Sequence, residues 1–220
     1  MIGRVTPVTF PDLLARLAAA WTAPLPGSRA HARMAPQVRG EWPAGLDPTT
    51  PRRAAGLLLL YPVDHQPHIV LTVRSPRVRH GGQVSLPGGV IEPGESIEAA
   101  AIRETREEVA LDVADLHVIG HLTPLDIPVS GFRLHPVVAA TASRPTFAPA
   151  DAEVARILEV PVATLLDPAC TSHQPMVRGA LSLDVPVFLI DDIVIWGATA
   201  MVLAEFLTLL GWPSKLQKRS

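Results

Sequence analysis

Three glutamates near the middle of the chain have the residue type and the spacing of a site for divalent cations. Glu104, Glu107 and Glu108 stand at positions i, i+3 and i+4, which places their carboxylates on one face of a helix. The run from Ser96 to Val109 predicts such a helix, because it is rich in Ala, Glu and Arg and contains neither Gly nor Pro. The acidic face is either a solvated surface, whose charge the neighbouring arginines offset, or a site for hard cations, which prefer oxygen ligands.

The segment before this helix is suited to binding phosphate. Pro87-Gly88-Gly89 and Pro93-Gly94 predict two tight turns. Glycines let backbone amides approach an anion closely, and the N-terminus of a helix favours negative charge. Mg²⁺ is often held jointly by carboxylates and by the phosphates of a substrate. A phosphate-binding loop that leads into a cation-binding helix therefore favours the hydrolysis of a diphosphate.

The order of these residues resembles the signature of the Nudix hydrolases. The chain has Gly89, then after five residues Glu95, after seven more Arg103-Glu104, and after two more Glu107-Glu108. The resemblance implies Mg²⁺ or Mn²⁺ as the cofactor, and it implies a metal site made of Glu104, Glu107, Glu108, Gly89 and Glu95. It also implies that Arg103 orients one of the helix glutamates by a salt bridge, and that Glu95 supports the helix from the loop.

Two positions depart from that signature. Thr105 stands where the family usually has an aliphatic residue, which we expect to weaken the packing of the helix slightly. Ala110 stands where the family usually has glycine, and its β-carbon disfavours the left-handed conformation that often ends a helix. Neither departure removes a carboxylate, so we expect activity to survive.

The residues upstream of the signature resemble a further motif of the coenzyme A pyrophosphatases. The chain reads Leu71-Thr72-Val73-Arg74-Ser75 and later Leu86-Pro87-Gly88-Gly89. Leu86 replaces the usual phenylalanine, and the stretch from Arg74 to Gly82 is one residue short. The stretches Pro128–Phe132 and Ile195–Ala200 are also similar to that subfamily. The resemblance implies that substrate is bound by Arg74, Ser75, Gly88, Gly89 and Phe132.

Two of the candidate residues have simple structural alternatives. Arg74 is a candidate bidentate donor to a phosphate, or else an exposed arginine that ends an edge strand. Glu153 is a base or metal ligand by resemblance, or else a carboxylate near the start of a helix. The predicted catalytic residues are Glu104, Glu107, Glu108, Arg103 and Glu153.

Apolar runs predict the strands that surround the signature. Strands are expected at Ala55–Tyr61, Ile69–Val73, His117–Thr123, Leu134–Thr141, Val187–Ile190 and Ile193–Ile195. Short helices are expected at 11–20 and Val162–Leu166, and a terminal helix at Ala198–Leu210. The fold class implied by the resemblance is an α/β/α sandwich with a mixed sheet, in which the signature forms a loop–helix–loop.

The chain divides into an arm, residues 1–53, and a hydrolase domain, residues 54–220. The arm combines one short helix with a proline-rich stretch. The apolar stripe of the helix, Leu13, Leu14 and Leu17, is too small to stand alone in water. It must therefore lie on the core of its own monomer or on another subunit. We expect a homodimer in which the arm contributes to the subunit contact, although packing within one monomer would satisfy the same residues.

Composition excludes several other classes of protein. The net charge of −2 gives no basic field for nucleic acid. The single cysteine, Cys170, excludes an intramolecular disulfide framework, and it is compatible with the reducing cytoplasm expected here. The apolar run Ile193–Trp212 is split by Gly197. It therefore predicts a buried terminal helix rather than a membrane span.

The sequence therefore predicts a divalent-metal-dependent hydrolase with a small nucleotide substrate. The favoured substrate is coenzyme A or an acyl derivative, cleaved to phosphopantetheine and adenosine 3′,5′-bisphosphate. The first alternative is a Nudix pyrophosphatase for ADP-ribose, dinucleotides or nucleoside triphosphates. The second is a catalytically inactive Nudix-fold module that binds nucleotides.

Overall fold

The computed structural model of the protein describes residues 8–37, 41–77, 81–150, 152–178 and 181–213. The strands in these ranges are β1 (Arg52–Val63), β2 (Gln66–Arg74), β3 (Val84–Ser85), β4 (Gly88–Val90), β5 (His117–His121), β6 (Leu125–Ile127), β7 (Phe132–Ala140), β8 (Val154–Pro161), β9 (Thr171–Arg178), β10 (Leu181–Ile190) and β11 (Ile193–Ile195). The α-helices are α1 (Phe10–Ala20), α2 (Ser28–His31), α3 (Ile97–Val109), α4 (Val162–Leu166) and α5 (Gly197–Leu209). Short 3₁₀ turns occupy Pro128–Ser130 and Pro168–Cys170.

The central sheet is mixed, as the resemblance implied. Its strand order is β3-β2-β1-β7-β5, with β4 on β1, β6 on β7 and β8 on β2. The pair β1–β7 is parallel, with a register that runs from Arg52 opposite Phe132 to Leu60 opposite Ala140. The other pairs in this sheet are antiparallel.

Strand β1 is buried on both faces of the sheet. Leu58 and Leu60 belong to the apolar cluster that contains the buried residues of α1 and α5. Leu57 and Leu59 belong to a second cluster, which contains the buried residues of α3. An uninterrupted apolar run is what a strand covered on both sides requires. The predicted α/β/α sandwich is therefore confirmed, with α3 on one side of the sheet and α1 and α5 on the other.

A second, smaller antiparallel sheet has the order β11-β10-β9 and leads directly into α5. The start of α5 is joined to the central sheet, because the Thr199 hydroxyl donates to the carbonyl of Val84 in β3 at 2.9 Å. Helix α5 is largely buried along its length. Within the described ranges, no helix is both long and apolar enough to cross a membrane.

The arm helix is packed within its own chain. Helix α1 is capped by Thr9, whose side chain forms a reciprocal capping box with Asp12. Its residues Phe10, Leu13 and Leu17 are buried in the same cluster as α5. The stripe that suggested a subunit contact is therefore covered without a second subunit, and the homodimer stays a prediction.

A buried carboxylate joins the rest of the arm to the core. Glu205 of α5 is fully buried and accepts hydrogen bonds from the backbone amides of Gly27 (3.0 Å) and Thr123 (3.1 Å). It also accepts one from the Thr123 hydroxyl (2.7 Å), and the Nε2 of His31 lies 2.8 Å from its second oxygen. Two of these partners are arm residues, so α2 is held against the terminal helix.

Several strands differ from the sequence expectation. Strands β8 and β9 were not predicted, and β10 is longer than the predicted Val187–Ile190. Glu153 does not start a helix; it immediately precedes β8. Ala110 ends α3 in the left-handed conformation, with φ 53° and ψ 40°, although its β-carbon disfavours this geometry. Thr105 is fully buried, and its hydroxyl is satisfied by the Ala101 carbonyl at 2.7 Å.

Candidate metal and diphosphate site

Helix α3 carries the acidic side chains of the site. It is capped by Ser96, whose hydroxyl accepts a hydrogen bond from the backbone amide of Ala99 at 3.1 Å. Two turns later come Glu104, whose carboxylate lies against Gly89, and Glu108, which accepts a hydrogen bond from the Gly88 amide. Glu108 is buried, whereas 56% of the Glu107 side chain is exposed.

Arg103 connects the acidic residues to one another. Its guanidinium donates to both carboxylate oxygens of Glu95, at 2.9 and 3.0 Å. It also donates to Glu104 at 2.9 Å, to Glu107 at 3.2 Å and to the Val90 carbonyl at 3.1 Å. These bonds to carboxylates raise the pKa of Arg103, and the Arg103 bonds hold the pKa of Glu95 below its usual range.

Burial makes two of the glutamates hard to ionise. Desolvation raises the pKa of Glu108 to about 7, although the Gly88 amide donates to its carboxylate at 3.2 Å and the charge of Arg74 also opposes the shift. The nearby charges of Glu104 and Glu153 add to the increase. Desolvation likewise raises the pKa of Glu104. A cation beside these carboxylates would stabilise their charged forms.

The glycine loop approaches the helix so closely that side chains do not fit. A β-carbon at Gly89 would overlap the carboxylate of Glu104. A β-carbon at Gly88 would overlap the backbone of Ala55 and Gly56 in β1. Both glycines lie in β4, which is paired with β1. The loop is thus held against the sheet on one side and against the acidic face on the other.

The donor set fits a hard divalent cation. Carboxylate oxygens are the protein ligands that Mg²⁺ prefers, and one or two of them are enough when substrate phosphates supply the rest. In the described part of the chain no three His, Cys, Asp or Glu side chains converge on one point. Glu104 and Glu107 both accept hydrogen bonds from the Arg103 guanidinium. Phosphate oxygens of a substrate would have to complete the coordination.

Arg74 and Glu153, far apart in sequence, lie together beside this face. The Arg74 guanidinium is 3.0 Å from the Glu153 carboxylate. The amide of Ser75 donates to the Glu153 carbonyl at 2.6 Å, which fixes the backbone of Glu153 at the end of β2. Ser75 itself is buried and does not line the cavity described next. Ser75 thus supports Glu153 through its backbone in this structure.

A cavity of about 520 Å³ opens beside the glycine loop. Arg74, Gly88 and Gly89 line it where it adjoins the acidic face of α3. The central sheet contributes to the rest of the wall through β1, β3, β6 and β7. The small sheet contributes through β9 and β10, and the 3₁₀ turn at 128–130 and the start of α5 also line the cavity. Sequence reasoning missed the contributions of β9, β10 and the arm residue Pro36. The stretches Pro128–Phe132 and Ile195–Ala200 were its only signals for this part of the wall.

Phe132 is not brought to the site. It is absent from the described lining of the cavity, and the Arg52 guanidinium lies over its ring, 4.4 Å from the centroid. Both residues are at the start of the β1–β7 parallel pair. The neighbouring turn, residues 128–130, contributes to the lining instead.

A family model and the sequence relatives of this chain point to the same family. The NUDIX domain family model matches residues 50–179. A relative from Citrobacter koseri, described as "Uncharacterized Nudix hydrolase NudL", is 34% identical over 178 residues, which are 80% of this chain and 88% of the relative. A protein of the same description from Yersinia enterocolitica is 36% identical over 140 residues, which are 63% of this chain and 71% of that relative.

The Nudix hydrolase RenU from M. smegmatis has a TM-score of 0.49 and 22% identity, with coverage of 73% of this chain and 84% of its own. The NUDIX domain of Shewanella oneidensis NrtR, crystallised with ADP ribose, has a TM-score of 0.43 and 22% identity, with coverage of 56% and 82%.

Proposed function

The chain belongs to the NUDIX domain family of hydrolases, and from that premise we propose that it cleaves the diphosphate of coenzyme A or its thioesters. The products would be 4′-phosphopantetheine, acylated where the substrate is a thioester, and adenosine 3′,5′-bisphosphate. Water supplies the oxygen that one phosphorus gains. The coarser activity, hydrolysis of a nucleoside diphosphate-linked substrate, is that of the family.

Mg²⁺ or Mn²⁺ would be held by Glu104, Glu107 and Glu108, with Glu95 and Gly89 shaping the site. When bound, such a cation neutralises phosphate charge and acidifies water. The contribution of the chain is to orient the carboxylates. Arg103 does this by donating to Glu95 and Glu104 at once. Without that anchor, the carboxylates at i, i+3 and i+4 would repel one another and spread.

Two carboxylates are candidates for accepting the proton of the attacking water. Glu108 is one, because its carboxylate lies on the acidic face and accepts the Gly88 amide at 3.2 Å, next to the cavity. Glu153 is the other, held beside Arg74 at 3.0 Å. The charge of Glu153 raises the pKa of Glu108, and the charge of Arg74 lowers it. The closeness of both candidates to the Arg74 guanidinium supports this assignment.

Arg74 is suited to binding a substrate phosphate. A guanidinium has five N–H donors, so the bond to Glu153 leaves others for phosphate oxygens. Arg74 lines the cavity together with Gly88, whose amide already contacts Glu108. The observation that supports the proposal best is this meeting of Arg74, Gly88 and Glu108. It places a phosphate donor next to the acidic face. The similarity of the Arg74-Ser75 run to the coenzyme A pyrophosphatases favours the particular substrate.

The test is a comparison of diphosphate substrates with saturating Mg²⁺, with products separated chromatographically and identified by mass. Coenzyme A should be turned over with a higher kcat/KM than ADP-ribose, dinucleotides or nucleoside triphosphates. A clear preference for ADP-ribose would contradict the proposed substrate but not the family. Absence of turnover with all of these compounds, in Mg²⁺ and in Mn²⁺, would favour a binding module.

A further inference from the structure

We propose that Glu205 is a positioning residue for substrate binding. Its carboxylate lies outside the described lining of the cavity, but it holds two parts of the wall in place against helix α5. One part is the arm, which lines the cavity with Pro36, and the other is residues 125–130, which form β6 and the 3₁₀ turn after it. The inference rests on the proposed function, because it takes the cavity as the place where the substrate binds.

Each carboxylate oxygen of Glu205 joins the arm to Thr123. The first, Oε1, accepts the backbone amide of Gly27 at 3.0 Å and the hydroxyl of Thr123 at 2.7 Å. The second, Oε2, accepts the amide of Thr123 at 3.1 Å and lies 2.8 Å from Nε2 of His31. Both Glu205 and His31 are buried, so water has little access to compete for these bonds. The carboxylate therefore fixes both chain segments with respect to α5 and to each other.

Thr123 leads directly into the cavity wall. It is followed by Pro124 and then by β6, and residues 125–130 all line the cavity. Strand β6 pairs with β7 over a short ladder, from Leu125 opposite Leu134 to Ile127 opposite Phe132. A ladder of this length contributes few hydrogen bonds, so the position of the chain that enters β6 depends on the bonds that Thr123 makes.

The arm also meets this part of the wall beyond Glu205. Pro36 follows α2 along the chain and lines the cavity itself. The side chain of Leu46 packs against Gly131, which follows the 3₁₀ turn, and a β-carbon at Gly131 would lie 3.0 Å from it. The amide of Arg52 donates to the Gly131 carbonyl at 3.0 Å. The arm thus holds residues 125–130 at their far end, and Glu205 holds them at their near end.

Helix α5 is the fixed reference for both segments. Its first residues line the cavity, and the Thr199 hydroxyl ties this end of the helix to the Val84 carbonyl at 2.9 Å. Glu205 lies about one helical turn after Met201, which also lines the cavity. The walls formed by α5, by the arm and by residues 125–130 are therefore connected through one buried carboxylate.

The proposed metal ligands lie on the opposite face of the central sheet. The buried residues of α3 belong to one apolar cluster, and those of α5 belong to the other. A change at Glu205 should therefore move the binding wall more than the carboxylates that hold the metal. The expected signature is a higher KM with little change in kcat, which marks the loss of binding that the ground state and the transition state share.

The chemistry of the four bonds makes Glu205→Gln a specific test. The Thr123 hydroxyl and the His31 imidazole can each change from donor to acceptor, but a backbone amide cannot. Whichever oxygen the NH₂ group replaces, the amide of Gly27 or that of Thr123 then faces another donor. With Mg²⁺ and the diphosphate compound that the wild type cleaves best, we expect KM about tenfold higher and kcat within about twofold. An unchanged KM would overturn the proposal.

A matched set at Thr123 keeps the test decisive if Glu205→Gln does not fold. Thr123→Val removes the hydroxyl that donates to Glu205 and should raise KM about threefold or more. Thr123→Ser keeps that hydroxyl and should stay close to the wild type. Thr141→Val is the control, because it removes a similar hydroxyl–carboxylate bond, 2.6 Å to Asp115, outside the described cavity lining. Equal KM in Thr123→Val and wild type, or an equal rise in Thr123→Ser or Thr141→Val, would contradict the positioning role.

Hydrogen–deuterium exchange separates this inference from the proposed function, because it needs no substrate. In Glu205→Gln and Thr123→Val, the amides of residues 125–130 should exchange about tenfold faster, whereas those of α3 should keep their wild-type rates. If coenzyme A compounds are not cleaved but this pattern is found, the proposed function fails and the positioning of the wall stands. If coenzyme A is cleaved while KM and exchange in both variants match the wild type, the positioning role fails alone.

Discussion

The guanidinium of Arg103 and the carboxylate of Glu95 face each other as a bidentate pair, with N–O distances of 2.9 and 3.0 Å. Glu95 lies in the loop before α3, and Arg103 lies in the middle of that helix. The pair therefore fixes the loop to the helix. The same guanidinium donates to Glu104, a proposed metal ligand. Through Arg103, the position of Glu104 therefore depends on Glu95, which lies off the acidic stripe.

Arg103→Lys should lower kcat/KM by about 10- to 100-fold and weaken the apparent affinity for Mg²⁺. Lysine keeps the charge, but it lacks the planar fork that serves two carboxylates together. Loss of an orienting partner of a metal ligand typically costs this much. The measurement is activity as a function of Mg²⁺ concentration. Arg106→Lys, an exposed position on the same helix, is the control. Equal behaviour of the two variants would show that Arg103 does not orient the site.

Glu107→Gln should reduce turnover by about 100-fold or more, because it removes a charged metal ligand while it nearly preserves shape. Its melting temperature should change little: the variant loses the 3.2 Å contact with Arg103 but also relieves repulsion from Glu104. Steady-state kinetics and thermal melts give both values. Glu98→Gln, on the same helix and bonded to His121, should stay active. Retention of most activity by Glu107→Gln on every diphosphate would remove this residue from the metal site.

The sequence predicted the elements whose signals are local. The acidic helix was predicted from its composition, and its observed start at Ile97, with Ser96 as its cap, agrees with the expected boundary. Strand β1 was predicted because its apolar run is unbroken, as burial on two faces requires. The resemblance implied a salt bridge from Arg103 to a helix glutamate and a supporting role for Glu95, but it did not predict that Arg103 and Glu95 pair with each other.

The elements that were missed lack such signals. Strand β9 contains Pro175 and strand β10 contains Pro186, and proline normally argues against a strand. Both are tolerated in this small sheet. Arg74 pairs with Glu153, which lies 79 positions further along the chain, and no pattern in either segment predicts this contact. The cavity wall is likewise assembled from strands that meet only in the folded chain.

Ala110→Gly should stabilise the protein by about 0.5–1 kcal/mol. Ala110 has φ 53°, a conformation that costs an L-residue with a β-carbon about 1–2 kcal/mol and glycine almost nothing. Part of the gain is lost because glycine makes the unfolded chain more flexible. Ala99→Gly, exposed within the first turns of the same helix, should instead destabilise by about 0.5–1 kcal/mol. Urea unfolding measures both, and equal signs for the two substitutions would contradict the conformational argument.

The buried carboxylate of Glu205 should make stability depend on acid pH. Burial alone would raise its pKa, but bonds from His31, Thr123 and Gly27 outweigh this and leave the pKa below its usual value. A lowered folded-state pKa contributes stability above the unfolded value, near 4.3, and that contribution is lost as pH falls through the folded value. The melting temperature should therefore fall in the acid range below about pH 4.3.

Glu205→Gln should remove most of this acid dependence and destabilise the protein at pH 7 by about 1–3 kcal/mol, because an amide replaces one acceptor oxygen with a donor that faces other donors. Thermal melts from pH 3 to pH 7 measure both effects. Glu92→Gln, at an exposed carboxylate, is the control and should keep the wild-type profile. If Glu205→Gln melts like wild type at pH 7, the hydrogen bonds from Gly27 and His31 do not hold the arm on the terminal helix.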